Sequence, residues 1–362
     1  MKVRLLSISI LATLLMLAPL AVCAQEEDGV QGEIEIGGWD SSVDGSPNAA
    51  AEYEPIDGGP LLDMEIGSFN EGGSFILESE VLSSDFQSHL LDFEIRRIVR
   101  SVTTYNALLH RLGHDPLSNL TAATAHGRVV RHTDNDPTRQ YQVDYEVLDH
   151  ATEFQFPSAS ALTVTVGYRR QDKEGFRQQT TVSHCDGCHV VSQSRKIEET
   201  TEDVNLAAEI AWMGGTVRAS YNHRELDDRS PDLTLLFDDA VHPELRAPVF
   251  DNRLQFDSAE GPQPVDARPD IEKDTLKLGA NWADVGGFAI SASGVWADTE
   301  NMATGLQSDY TGYAVNAARR FDNGVNLRWR GIGYTLDNDD VFVDVVERPG
   351  KAGPQAGGIF SD

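Results

Sequence analysis

The sequence predicts an all-β fold: an antiparallel transmembrane outer-membrane β-barrel with long loops on one side. Three observations predict it. Apolar and polar residues alternate with period two along much of the chain, the strand signal. Short Gly- or Asn-containing turns separate segments of similar length, and long polar connections join their other ends. Trp and Tyr sit near the ends of the alternating segments, where an aromatic girdle would meet a membrane interface. A soluble β-sandwich, whose apolar faces meet in a core, is the competing architecture.

Residues 1–24 read as a secretory signal peptide. Lys2 and Arg4 precede an apolar run from Leu5 to Leu20, with Val22 and Ala24 as the small residues at the cut. Cleavage there removes Cys23 and leaves Cys185 and Cys188 as the only thiols. A lipoprotein signal using Cys23 competes, with Val22 a poor residue before a lipidated cysteine.

Residues 25–140 are expected to form the N-terminal strands and ordered loops of the barrel. Ile34 and Ile36 alternate with Glu33 and Glu35, and Leu62, Met64 and Ile66 with Asp63 and Glu65. The Ser-, Gly- and Pro-containing stretch from Asp40 to Gly59 is a loop. Phe75–Val81 and Leu91–Ile98 are further strands; Tyr105–Leu117 and Val129–Pro137 lack a clean period and read as loop.

Residues 141–345 hold regular hairpins. Tyr141, Val143, Tyr145 and Val147 share one face, as do Leu162, Val164, Val166 and Tyr168. A loop over about 171–202 follows, and then three segment pairs turn at 214–215, 285–287 and 322–324. Residues 346–362 are a polar tail.

The formal net charge of -29 argues against nucleic acid, whose phosphates require clustered Lys and Arg. Beyond the leader no run of about 18 apolar residues remains, so no helical span is expected. A β-barrel is compatible with the mean hydropathy of -0.33. No nucleophile elbow, phosphate loop or zinc-protease spacing appears, so nothing points to an enzyme. Acid-rich stretches such as Asp227-Asp228 and Asp337–Asp340 do not match an EF-hand loop.

The most specific motif is Cys185-Asp186-Gly187-Cys188-His189, the C-x-x-C-H spacing of c-type haem attachment. Two thiols reach the two vinyl groups of one porphyrin while the next histidine ligates the iron. Cys185, Cys188 and His189 are therefore candidates for one haem c, with His189 on the haem iron. A local disulfide and a metal site using His184 are the alternatives. His110, His114 and His132 are available as a sixth ligand. Counting back from Gly214 places the motif on the long-loop side, outside the cell or folded into the lumen.

Four stretches together resemble the decahaem-associated outer-membrane porins of porin–cytochrome complexes, the MtrB/PioB type: Tyr105–Leu117 (YNALLHRLGHDPL), Val129–Pro137 (VVRHTDNDP), Gly167–Gly175 (GYRRQDKEG) and Ser183–Arg195 (SHCDGCHVVSQSR). The resemblance implies a porin-like sheath in the outer membrane of a Gram-negative bacterium. It would support electron transfer with a periplasmic multihaem c-type cytochrome and an outer-surface cytochrome, in contact with outer-membrane lipid. About a dozen strands would leave too narrow a lumen for such a partner, so the barrel is expected to be C-terminally incomplete. A plain diffusion porin with a Cys185–Cys188 disulfide, or a secreted single-haem carrier, are the competing functions.

Overall fold

The computed structural model describes residues 29–50, 52–56, 58–117, 131–156, 162–183, 189–236, 261–265 and 268–339. They form one large antiparallel sheet. Its strands are β1 (Gln31–Trp39), β2 (Gly59–Asn70), β3 (Gly73–Ser83), β4 (Phe86–Ile95), β5 (Val99–Leu112), β6 (Arg131–Asp134), β7 (Tyr141–Gln155), β8 (Leu162–Ser183), β9 (His189–Trp212), β10 (Gly215–Asp228), β13 (Ile271–Val285), β14 (Phe288–Asn301), β15 (Leu306–Arg320) and β16 (Asn326–Asn338). A two-residue pair, β11 (Thr234–Leu235) and β12 (Gln263–Pro264), lies apart, and the one helical turn among the described residues, α1, is Pro47–Ala50. No helix among the described residues is long and apolar enough to cross a membrane, which leaves crossing by strands untouched.

Each strand pairs with the next in a meander, except that β6 lies parallel to the start of β9. Among the described residues β1 and β16 remain the two edges. The connections sort by end. One end carries the short turns after β2, β4, β9, β13 and β15 and the connection over 156–161; the other carries the connections spanning 39–59, 112–141, 183–189 and 228–271, together with the short turns after β3 and β14. At the short end Gly286 and Gly287 both have positive φ, 63° and 86°, the backbone that a two-residue hairpin turn demands.

The short turns are staggered. One rung of Cα partners starts at Val99, the first residue of β5, and runs through Phe154, Val164, Ala208, Ala219, Leu278, Gly294 and Tyr313 to Gly333. Gly333 stands seven residues above the start of β16. At ~3.3 Å per residue and ~4.8 Å per strand, seven residues over eight steps is a slope of about 30°. Strands in a closed cylinder must tilt by a similar angle, roughly 35–45°.

The two faces differ, and so do the two halves. From β8 to β16 one face, hereafter the belt face, presents Val204, Leu206, Ile210 and Trp212, then Tyr221, Leu276, Leu278, Trp296, Tyr313, Leu327 and Trp329, all exposed. Trp212, Trp282 and Trp329 fall on one rung near the short turns. Tyr168, Tyr221, Trp296 and Tyr313 lie toward the other border. A Cβ on Gly294 would come within 2.6 Å of the Trp296 ring, so glycine lets that ring lie along the belt. Beyond the belt the same face turns charged: Arg170, Glu202, His223, Asp274, Asp298, Asp309 and Asp337.

On β2 to β5 the belt face is buried instead, at Met64, Phe75, Leu77, Leu91, Tyr105 and Leu109. Polar groups there are paired, as in Ser79 with His89 at 2.8 Å. The opposite face of β1 to β3 carries two ladders of directly opposed carboxylates, Glu33–Glu65–Glu78 and Glu35–Asp63–Glu80.

Several expected loops are strand. Residues 105–112 belong to β5, where Tyr105, Leu109 and Arg111 are buried on one face while His110 and Leu112 hold the other, which blurs the period. Residues 131–134, expected as loop, form β6. The expected loop over 171–202 is mostly β8 and β9, polar on both faces and so without an apolar period. Leu91–Ile98 splits at a turn, where Arg96 and Arg97 take positive φ. Among the described residues the path has thirteen strands, in line with the expected dozen or so.

Candidate functional site at the tip of the long hairpin

β8 and β9 run together from Leu162↔Ile210 to Ser183↔His189, the longest pairing in the sheet. The lower part lies in the belt. The upper part, from Tyr168↔Val204 onward, extends fifteen residues past it, about 50 Å along the strands. Such a long polar extension requires lateral support, and charged pairs supply it. Arg224 grips Asp203 with two bonds of 2.7 and 3.0 Å. Arg195, 2 % exposed, faces Asp228, 3 % exposed, at 3.7 Å. Glu199 takes Lys173 at 3.3 Å and also Arg268. On the other face Arg170 spans Asp172 and Glu202, and Asp172 accepts from Thr200 at 2.7 Å.

A second layer of support comes from residues 113–117 and 131–141. β6 lays Arg131, His132, Thr133 and Asp134 beside His189, Val190, Val191 and Ser192. Asp136 accepts the Ser194 amide at 2.6 Å. Bonding to the Ser194 hydroxyl and amide holds the Asp136 carboxyl below its ordinary range. His114 bonds Asp134 at 2.7 Å and meets the buried Tyr141 edge-on. Burial pushes the Tyr141 phenol up. Gln178 reaches across β8 to the Asp115 carbonyl and to Ser192. Arg139 lies over the Phe176 ring, 3.6 Å from its centroid. All of this braces the hairpin close to its tip.

The predicted haem residues fall, in sequence, between the braced ends of β8 and β9. Cys185 and Cys188 lie outside the described residues, with His184, and for His189 the backbone alone is described. The flanking pair Ser183↔His189 closes the described hairpin on the long-connection side, as counted from Gly214. Of the three candidate sixth ligands, β6 brings His132 beside Val190, one residue from His189. His114 is committed to Asp134, and His110 to Glu52 at 2.8 Å while stacked on Tyr53. Sequence reasoning missed the bracing ion pairs, because cross-strand register is not written in residue order.

No protein-family model and no curated protein matches the chain. Solved structures that resemble it are forms of OmpT, an outer membrane protein of Vibrio cholerae. The loop L8 deletion form is 9 % identical, with 86 % of this chain and 95 % of that one covered and a TM-score of 0.34. The form expressed in the outer membrane is also 9 % identical, covering 86 % and 89 % at a TM-score of 0.34. A likeness this slight carries no argument, and the sheet's own geometry bears the reading below.

Proposed function

We propose that the chain forms wall of an outer-membrane β-barrel in a Gram-negative bacterium, porin-like, with its short turns in the periplasm and its long connections outside. The oblique belt carries this reading. Nine residues, Val204–Trp212, tilted by about 30° rise about 25 Å, the height of the apolar band of such barrels. Exposed Leu, Ile and Trp in that number would be costly in water at ~25 cal/mol per Å² and are neutral in lipid. The test is outer-membrane fractionation with heat-modifiable gel migration. Recovery as a soluble periplasmic protein would overturn the reading.

The finer function is a sheath that supports electron transfer across the outer membrane with a multihaem c-type cytochrome. The family resemblance and the C-x-x-C-H motif, which in sequence joins the braced strands β8 and β9, support it, and the carboxylate ladders suit a partner with a basic surface. Co-purification of a cytochrome, together with a pyridine haemochrome spectrum of the isolated chain, tests it. A haem-free chain that purifies alone and conducts small solutes is the plain diffusion porin with a Cys185–Cys188 disulfide.

A further inference from the structure

On β10 and β13, just past the belt, the register places His223 directly opposite Asp274 and Glu225 directly opposite Glu272, all on the belt face. His223 Nδ1 is 2.9 Å from Asp274 Oδ1 and 3.9 Å from Glu272 Oε1, and its Nε2 is 3.2 Å from Glu225 Oε1. One ligand atom each from His223, Glu272 and Asp274 lie within 4.8 Å of one another. Three carboxylates thus surround one imidazole. Among the described residues β10, β13 and β14 place no Lys or Arg on this face: Arg224, Lys273 and Lys277 alternate to the other side, and Arg224 is committed to Asp203. Even an imidazolium would leave two negative charges there, which is the charge of one divalent cation.

We propose that His223, Glu272 and Asp274 bind a zinc ion. The donor set fits the metal: an imidazole nitrogen with two carboxylate oxygens suits zinc, whereas calcium and magnesium prefer all-oxygen sites. With zinc on Nδ1, Glu225, 3.2 Å from Nε2, would complete the arrangement by accepting the Nε2 proton, the Nδ1 lone pair then facing the two carboxylates. Without a cation that lone pair would oppose Asp274 at 2.9 Å, so the alternative occupant of the space is a second proton on His223. Tyr221 donates to Asp274 from the belt side and fixes that carboxylate. Pairing of two rigid strands sets the donors, so the site rests on the β10–β13 register and not on the function proposed above.

The Cys185–His189 stretch would itself take zinc, so the test uses the full chain carrying Cys185→Ser and Cys188→Ser, refolded in detergent and stripped with a chelator. Calorimetric titration with zinc chloride is expected to show one saturable site. His223→Ala and Asp274→Asn should each weaken it at least tenfold, and Glu225→Gln about tenfold or more through the lost outer partner. Asp309→Asn, on β15, should leave it unchanged. Cobalt(II) added to the same parent protein should give the visible bands of a four-coordinate site, a readout that needs no substitution among the proposed ligands. Absence of those bands, or a zinc isotherm that His223→Ala leaves unaltered, would overturn the proposal and leave His223 as an imidazolium in an ion-pair cluster.

Discussion

The two halves of the sheet use the same face in opposite ways. In β2 to β5 the belt face is packed and buried, with Leu77 at 2 % exposure and Ser79 and His89 satisfied by each other. In β8 to β16 the same face exposes Leu206, Leu278 and Trp329 and holds almost no polar group below its charged border. The other face differs too: carboxylate ladders in β1 to β3, but Ser220, Asn281, Ser291, Ser293 and Asn316 in the second half. One meander therefore joins a half stabilised by protein packing to a half that needs lipid as its solvent. The largest test is Leu77→Ala. It removes a packed side chain from β3 and should cost about 2–5 kcal/mol in denaturant unfolding, in detergent and bilayer alike. A cost that vanishes in bilayers would show that β3 faces lipid after all.

The next test sits on the second half. Leu278→Arg places a charge in the belt and should cost about 2–4 kcal/mol in a bilayer, falling toward the borders. Ser293→Arg, on the opposite face of the neighbouring strand, should stay within about 0.5 kcal/mol. Equal costs for the two would remove the distinction between the faces.

A smaller effect is expected where the first half is least comfortable. Glu65 faces Glu33 on one side and Glu78 on the other, and directly opposed like charges destabilise a sheet by about 0.2–1 kcal/mol. Glu65→Gln should therefore stabilise the protein by that much at low ionic strength, with the gain shrinking as salt rises. A loss of stability would mean that the ladder is held by a cationic partner.

What was legible in the sequence follows the same division. The belt strands could be read because one face is apolar and the other small or polar, so the period of two survives in residue order. β5 could not, since Tyr105, Leu109 and Arg111 are buried while Leu108 and Leu112 share the other face with His110. The upper parts of β8 and β9 were missed for the converse reason, being polar on both faces and held by pairs such as Asp203–Arg224. The carboxylate ladders and the His223–Asp274 pair depend on register between strands, which no single segment displays. The haem motif was plain as a motif, and what the structure added is where its flanks stand: braced at the end of a hairpin well beyond the belt.

That bracing supplies the smallest and most local prediction. Asp136 bonds the Ser194 amide and hydroxyl, and these bonds hold its carboxyl below the ordinary aspartate range. Its folded-state pKa is depressed, so the contribution is fully present above the unfolded value of about 3.9 and is lost as pH falls through the lowered folded value. Protonation removes the charge that docks residues 131–139 on β9, without touching the belt or the core. Hydrogen exchange at the Ser194 amide should accordingly speed up as pH is lowered below about 4, after correction for the intrinsic rate. In Asp136→Asn the same amide should exchange faster at neutral pH and show no further acid step, while global unfolding stays unchanged. An acid step that persists in the variant would show that Asp136 is not the group that titrates.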